Sequence, residues 1–223
     1  MTALSGRTQG LDRMVSKSRD TNAFDQQMSG LVGILLRLID DQGSIILHVT
    51  APNAGEGTST IARGLATAAA QAPWCKVALL DASGSTDSVV GADALPSVLD
   101  GFDPTKKIPL ATRQLNGVGV SAGILNLSGP AAPSLETLRS LYGALRADFT
   151  LTVVDCPPVN ASQTTVAYSK LADGVVLVIS AERTRVGDIE RAQGNLTHFG
   201  ATILGSVMNQ SRRRVPRFID RFL

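Results

Sequence analysis

A glycine-rich loop between a predicted strand and a predicted helix holds the residues most able to do chemistry. The aliphatic run from Ile45 to Val49 predicts a buried strand, and an apolar pattern at helical spacing begins at Ser59. Between them, the segment Asn53-Ala54-Gly55-Glu56-Gly57 combines small side chains with backbone freedom. Backbone N–H groups and a helix dipole converge on an anion in such an arrangement. The loop therefore predicts a phosphate site, and the alternative is a turn that binds nothing.

The spacing of this loop matches much of the phosphate-binding P-loop, or Walker A motif, G-x-x-x-x-G-K-[ST]. With Gly57 aligned on the second glycine, Thr58 takes the place of the lysine and Ser59 that of the magnesium-binding hydroxyl. The lysine normally neutralises charge on the β- and γ-phosphates, and threonine carries no charge. We expect the cradle to survive and the strongest electrostatic contribution to phosphoryl transfer to be lost.

Carboxylates follow two other predicted strands at their C-terminal ends. The run from Lys76 to Leu80 leads to Asp81, and the run from Thr150 to Val154 leads to Asp155, where two prolines forbid further pairing. Ligands of open α/β sheets bind at this edge of the sheet. Taken alone, Asp81 has the plainer interpretation of a turn or helix cap.

Strands alternate with helical stretches along most of the chain. Further strands are predicted at 118–127, 174–179 and 201–207, and helices at 23–40, 134–145, 164–171 and 184–199. Strands that are apolar on both faces indicate a mainly parallel sheet that is covered on both sides. The sequence therefore predicts a doubly wound α/β domain with helices on both faces of the sheet.

Two local expectations accompany this fold. The Gly-, Ser-, Asp- and Pro-rich segment 83–117 is predicted to be a long excursion with one short helical patch at 95–99. Ser134 is predicted to cap the following helix, whose buried stripe is formed by Leu135, Leu138, Leu141 and Leu145.

Composition places the chain among globular proteins. It has 223 residues, 43% of them hydrophobic, and no apolar run long enough for a membrane span. The formal net charge of +2 gives no indication of nucleic-acid binding, and the spacing of Cys75 and Cys156 suits neither a disulfide framework nor zinc, which fits a reducing cytoplasm. We expect a flexible arm at 1–22, the P-loop domain at 23–210 and a basic amphipathic tail at 211–223.

Five motifs in order carry a resemblance to a known family. The segments AGEGTST, ALLDASGS, ADFTLTVVDCPPV, LADGVVLVISAERTR and GSVMNQ stand where that family has PGEGKST, LLIDADLR, FDYIIIDTPP, LADGVLLVVRAGKTR and GVVLNR. The chain resembles the MinD/ParA class of P-loop ATPases. More closely, it is similar to the cytoplasmic domain of bacterial tyrosine kinases and polysaccharide co-polymerases of the Wzc/CpsD/CapB type.

This resemblance implies a set of roles for the motif residues. The loop residues would bind the phosphates of ATP or ADP; they are Gly55, Glu56, Gly57, Thr58, Ser59 and Thr60. Mg²⁺ would be held by Ser59 and Asp155, the latter through water, and Asp81 would assist the metal or the nucleophile. Asn209 would meet the adenine edge, although on its own it reads equally well as a cap at a strand end.

Departures from the family pattern weaken the parts that autophosphorylation needs. Thr58 replaces the lysine, Ser83 replaces the second acidic residue of the second motif, and the tail lacks the family's tyrosine cluster. The tyrosines of the chain, Tyr142 and Tyr168, fall in predicted helices, where packing is their ordinary role. The sequence therefore predicts a pseudokinase-like accessory protein of exopolysaccharide or capsule synthesis or export, with no ATPase activity or a very weak one.

Two alternatives stay open. One is an active ATPase or tyrosine autokinase in which another lysine, such as Lys76 or one from a partner chain, replaces the lost one. The other is a MinD/ParA-like positioning ATPase.

The expected partner is an inner-membrane polysaccharide co-polymerase or chain-length protein, together with further copies of the chain. The tail alternates arginines with Phe218, Ile219, Phe222 and Leu223, so it is predicted to touch anionic lipid or to fold back on the domain. The protein is therefore expected in the cytoplasm, peripheral to the inner membrane.

Overall fold

The computed structural model describes residues 24, 26–33, 35, 37, 39–40, 42–83, 95–127 and 132–211. The predicted arm at 1–22 lies outside the described residues, and so does the predicted tail beyond Ser211.

A seven-stranded sheet forms the centre of the protein. Its strands are β1 (Ile45–Thr50), β2 (Val77–Asp81), β3 (Ala111–Leu115), β4 (Val118–Ile124), β5 (Leu151–Asp155), β6 (Gly174–Ser180) and β7 (Ile203–Asn209). Their order in space is β3-β4-β2-β5-β1-β6-β7. Only the β3–β4 pair is antiparallel, and the other five pairs are parallel. The predicted mainly parallel sheet is confirmed.

Helices cover both faces of this sheet, as predicted for a doubly wound fold. The first, α1, is helical at every described position from 24 to 42, and the others are α2 (Thr58–Ala70), α3 (Leu135–Asp148), α4 (Gln163–Ser169) and α5 (Val186–His198). One apolar core joins α1 and α2 to one face. The opposite face packs against α3, α4 and α5. Helices therefore cover both faces of the sheet, and ligands can approach it at the ends of its strands.

Strand β1 shows how the sequence produces this layering. Its six residues are all buried, and alternate side chains point to opposite faces. Leu47 and Val49 belong to the core beneath α1 and α2, whereas Ile46 belongs to the core beneath α3. A strand that is covered on both faces needs a continuous apolar run, which is what the sequence provides.

Helix α1 packs on the domain itself. A side chain at Gly64 of α2 would lie within 3.0 Å of atoms of Phe24 and Met28, so the absence of a Cβ allows the two helices to approach closely. Met28, Val32 and further residues of α1 are buried in the same core. Helix α1 therefore belongs to the core of its own domain.

The segment 83–117 differs from its prediction in two places. Strand β3 was not predicted, although its hairpin turn Asn116-Gly117 has positive φ at both residues, 48° and 82°, as two-residue hairpins require. The predicted helix at 95–99 is wrong. There, Ser97 forms a parallel bridge to Ile124, and the Val98 N–H donates to the Ile124 carbonyl at 2.9 Å. The backbone groups that a helical turn would pair locally bond to β4 instead, and Val98 is fully buried.

Helix α3 begins as predicted, with one exception in its stripe. The Ser134 hydroxyl accepts a hydrogen bond from the Thr137 N–H, which is the expected N-cap. Leu138, Leu141 and Leu145 are fully buried, but Leu135 is 38% exposed. Leu135 is the first residue of the helix, so its side chain lies beyond the edge of the core.

Candidate functional site

The glycine loop takes the backbone conformation that a phosphate cradle needs. Gly55 and Gly57 have φ values of 77° and 92°, in the left-handed region that favours glycine. A Cβ on Gly57 would overlap the side-chain amide of Asn209. Glycine at position 57 is therefore required both by the backbone and by a neighbour from the far end of the chain.

The first turn of α2 presents its backbone N–H groups at this loop. The helix begins at Thr58, has no side-chain cap and carries no acidic residue in its first turn. The Ile61 N–H bonds to the Gly57 carbonyl at 3.1 Å, so the N–H groups of Thr58, Ser59 and Thr60 precede the intrahelical ladder. Because the turn itself contains no carboxylate, the positive end of the helix dipole can act on an external anion.

Two side chains at the C-terminal end of β7 hold the loop, namely Asn209, the last residue of the strand, and Gln210, which follows it. The Asn209 amide donates to the Glu56 carbonyl at 2.9 Å, and the Gln210 amide donates to the Gly55 carbonyl at 3.0 Å. Asn209 therefore supports the loop in this structure, and its contact with adenine stays a prediction.

The Glu56 side chain turns into the protein instead of toward the loop's open side. It is 2% exposed, and its Oε1 accepts hydrogen bonds from Thr184 at 2.8 Å and Asn53 at 3.3 Å. Thr184 also accepts from the Ser180 N–H at 2.9 Å, which ties the loop after β6 to the P-loop. For phosphate binding, Glu56 can thus contribute its backbone amide but not its carboxylate.

Asp81 and Asp155 lie side by side at the C-terminal edge of the sheet. They are directly paired in register at the ends of β2 and β5, and both are buried. Asp81 accepts hydrogen bonds through Oδ1 from the Ser83 N–H at 3.1 Å and the Ser83 hydroxyl at 2.7 Å. The serine that replaces an acidic residue of the family motif thus orients the first carboxylate.

Asp155 is the least satisfied group of the site. Both carboxylate oxygens are fully buried, and neither has a well-formed hydrogen bond within the described part of the chain. Burial raises the pKa of Asp155 to about 7, an effect opposed by the nearby Ser59 hydroxyl and strengthened by the Asp81 carboxylate. A buried anion without a partner is costly, so this position favours a cation or a proton.

These residues fit Mg²⁺. The ion commonly uses one or two carboxylates together with waters and substrate phosphates, rather than a full protein cage. Asp155 and Ser59 would hold it, with Asp81 beside them. Among the described residues no group of three or more His, Cys, Asp or Glu is placed to hold a metal.

The predicted substitute Lys76 does not lie at this site. It precedes β2, whereas Asp81 ends it, and five residues of strand span about 16 Å. Its neighbours are Lys106 and Lys107 at the opposite end of the sheet. The prediction that Lys76 replaces the P-loop lysine within its own chain is therefore wrong.

Sequence reasoning missed the loop that follows β6. Arg183 and Thr184 both reach the P-loop, yet they are separated from it by 128 positions. The only sequence signal was the match of LADGVVLVISAERTR to a family motif, and that match assigned these residues no role.

Three buried side chains with reactive groups have structural roles. Tyr142 is 2% exposed and its hydroxyl pairs with His48 Nε2 at 2.6 Å, while Tyr168 is 8% exposed and donates to the Pro133 carbonyl at 2.6 Å. Cys156 is buried, and burial raises its thiol pKa well above the ordinary value. The expectation that the two tyrosines serve packing is confirmed.

Proteins with similar sequences include bacterial tyrosine kinases. The chain is similar to tyrosine-protein kinase CpsD of Streptococcus agalactiae, with 27% identity over 192 residues that cover 78% of this chain and 79% of that protein. It is also similar to the CapB protein of Staphylococcus aureus, with 29% identity over 89 residues that cover 37% of this chain and 39% of CapB. The chain thus matches most of CpsD but about two fifths of CapB. No protein-family model matches the sequence.

Solved structures agree on the fold. The kinase domain of the Escherichia coli tyrosine kinase ETK superposes with a TM-score of 0.65 at 18% identity, covering 78% of this chain and 70% of that chain. A nucleotide-binding protein from Archaeoglobus fulgidus in complex with ADP superposes with a TM-score of 0.53 at 19% identity, covering 78% and 70% of the two chains. ParA and MinD proteins also superpose. The P-loop NTPase-like fold and the resemblance to bacterial tyrosine kinases are confirmed. In the part of the chain that is described, no helix has the length and apolarity for a membrane span.

Proposed function

We propose that this chain is a nucleotide-binding, pseudokinase-like P-loop protein that serves exopolysaccharide or capsule synthesis or export through protein contacts. The observation that carries the proposal is the loop at Gly57, where a left-handed glycine fits against Asn209 and the first turn of α2 lies open. A phosphate would accept hydrogen bonds from the N–H groups of Thr58, Ser59 and Thr60. Mg²⁺, held by Ser59 and Asp155, would neutralise the phosphates.

Calorimetric titration with ATP and ADP, with and without Mg²⁺, tests nucleotide binding. We expect both nucleotides to bind, more tightly with Mg²⁺. Gly57→Ala should abolish binding, because its Cβ would displace Asn209. Gly143→Ala is the matched control, since Gly143 lies exposed in α3 with open space around it. Absence of binding by the unmodified chain, or undiminished binding by Gly57→Ala, would refute the proposal.

Phosphoryl transfer from ATP at this site should be slow. Thr58 provides no charge at the transferred phosphate, and losing one preorganised charge of this kind typically costs about 100-fold or more in rate. Thr58→Lys should strengthen nucleotide binding. Steady turnover near 1 s⁻¹ in the unmodified chain, abolished by Asp155→Asn, would favour the active ATPase instead.

Autophosphorylation on tyrosine is not part of the proposed function. Both tyrosines are buried and hydrogen-bonded through their hydroxyls, so neither can enter an active site without local unfolding. Mass spectrometry after incubation with Mg-ATP should find Tyr142 and Tyr168 unmodified, and stoichiometric phosphate on either would support the autokinase alternative.

The place of action is proposed to be the inner membrane, where the chain would meet a polysaccharide co-polymerase and further copies of itself. Each basic residue near an anionic leaflet contributes about 1 kcal/mol, so the arginines of residues 211–223 would give a salt-sensitive attraction rather than a permanent anchor. Sedimentation with anionic vesicles at low and high salt should separate the full chain from one that ends at Gln210. Equal binding by both would remove the tail from the proposal.

A further inference from the structure

We propose that Arg183 provides the positive charge at the phosphate site that the P-loop itself lacks. This inference rests on the proposed nucleotide binding and names the residue that would compensate for Thr58. Arg183 lies in the loop between β6 and α5, and its guanidinium reaches across to the glycine loop. It therefore brings a positive charge to the glycine loop from the end of β6, whereas the loop itself follows β1.

The position of the guanidinium carries the proposal. Arg183 Nη1 donates to the Gly55 carbonyl at 3.4 Å. Both of its terminal nitrogens, Nη1 and Nη2, lie within 4 Å of the point where a Cβ on Gly55 would stand, at 3.6 and 3.8 Å. These are ordinary van der Waals distances, so the guanidinium lies directly beside the backbone of the glycine loop.

The arginine is available to a ligand. Its side chain is exposed, and it forms no ion pair with any described residue. A contact of 3.4 Å to a neutral carbonyl lies at the long end of the hydrogen-bond range, so exchanging it for a phosphate oxygen costs little. Charge-assisted bonds between guanidinium and phosphate are shorter and about twice as strong as neutral ones, and they are often bidentate.

The backbone that carries Arg183 is fixed against the P-loop. The Arg183 and Thr184 N–H groups donate to the Ser180 carbonyl at 3.2 and 3.0 Å. The next side chain, Thr184, donates to the buried Glu56 carboxylate of the P-loop at 2.8 Å. Glu56 thus has a positioning role, because its hydrogen bond with Thr184 keeps the arginine beside the loop.

Arg183 approaches from the Gly55 side of the loop, whereas the usual lysine would stand at position 58, at the start of α2. A cation in this position can offset phosphate charge in the bound nucleotide without occupying the lysine's place along the transferred group. The chain would thereby retain nucleotide binding while losing phosphoryl transfer.

Titration of four forms of the full chain with Mg-ADP and with adenosine tests this inference: the unmodified chain, Arg183→Gln, Arg183→Lys and Arg185→Gln. Arg183→Gln should weaken ADP binding about tenfold or more, the order expected for one charge-assisted bond, and leave adenosine binding unchanged. Arg183→Lys should recover part of the loss. Arg185, also exposed and two residues away, is the matched control and should bind ADP like the unmodified chain.

The outcomes separate this inference from the function on which it rests. If the unmodified chain binds ADP and Arg183→Gln binds it equally well, Arg183 is not a phosphate ligand and the proposed function stands. If both glutamine variants weaken binding to the same extent, the effect is general electrostatics and the inference fails. If the unmodified chain binds no nucleotide, the inference and the proposed function fail together.

Discussion

The two ends of the parallel sheet treat their buried polar groups in opposite ways. At the N-terminal end, Asp173 accepts the Ile46 N–H at 2.7 Å and pairs with Arg146 at 2.8 Å, and Arg146 also donates to the Ser44 carbonyl. At the C-terminal end, Asp155 has both oxygens buried without a hydrogen-bond partner in the described structure. One aspartate is satisfied within the fold, and the other is left unsatisfied.

This difference is consistent with a structural role for the N-terminal end and with the ligand site proposed at the C-terminal end. Buried polar groups are normally paired, because an unpaired one carries its full desolvation cost. More such atoms lie toward the C-terminal end, namely Glu56 Oε2, Asn160 Oδ1 and Ser180 Oγ. The N-terminal end joins strands and helices, whereas the C-terminal end retains polar capacity that a ligand or water can use. The stabilising polar contacts and the proposed ligand site thus lie at opposite ends of the strands.

The largest loss of stability is expected from removing the polar contacts at the N-terminal end of the sheet. Asp173→Ala would leave the Ile46 N–H and the Arg146 guanidinium without their partner, and both side chains of the ion pair are mostly buried, at 20% and 32% exposure. Removing one member of such a pair should lower the free energy of unfolding by about 3 kcal/mol in a urea titration.

An exposed ion pair provides the control for this variant. Lys106 pairs with Asp103 at 3.4 Å with its side chain 77% exposed, and such pairs contribute little. Lys106→Ala should leave the unfolding midpoint nearly unchanged. A loss for Asp173→Ala no larger than for Lys106→Ala would show that the N-terminal end is not held by its polar groups.

Which parts of this contrast could be predicted from the sequence depends on how far apart along the chain the contacting residues lie. The parallel strands were predicted because each is an apolar run between turn signals, and their carboxylates could be placed together because parallel strands end at one edge. Burial periodicity is local, so it predicted α3 correctly. Strand β3 was not predicted because its residues are only half-buried or exposed, so they give no apolar run. Its one sequence signal was the Asn116-Gly117 turn.

The parts of the site that were not predicted depend on tertiary contacts. Asn209 reaches the P-loop across 153 positions and Arg183 across 128, and no periodicity relates such distant residues. The sequence showed that the P-loop lysine is missing, but it could not show that Arg183 lies beside the loop. Lys76, the example named for the active-enzyme alternative, lies at the other end of β2 from Asp81, which only the fold shows.

A histidine in strand β1 combines both situations, because only one of its two ring nitrogens has a hydrogen-bond partner among the described residues. His48 Nε2 pairs with the Tyr142 hydroxyl at 2.6 Å, whereas Nδ1 is buried without a partner in the described residues. Burial lowers the pKa of His48 to about 4, although the Asp173 carboxylate acts in the opposite direction. The folded protein therefore binds this proton less readily than the unfolded chain, whose histidine pKa is about 6.5.

Stability should fall as the pH falls between about 6.5 and 4, since within this window the unfolded state takes up a proton that the folded state refuses. Between pH 7 and pH 5 the cost from His48 alone is about 2 kcal/mol. Urea titrations at both pH values measure it. His48→Gln should reduce the pH dependence, and the exposed His198→Gln should not. The same pH dependence in both variants would contradict this role for His48.

The smallest expected effect comes from the unsatisfied end, and its sign is reversed. Asp155→Asn replaces a buried, unpartnered carboxylate with a neutral group of the same shape and removes its repulsion with Asp81. At pH 8, without nucleotide or Mg²⁺, the variant should be about 1 kcal/mol more stable than the unmodified chain, as is common where function requires strain. Asp148→Asn, at an exposed carboxylate in α3, should change little and serves as the control. Loss of 1 kcal/mol or more in Asp155→Asn would mean that this carboxylate is paired after all, and the two ends of the sheet would then be alike.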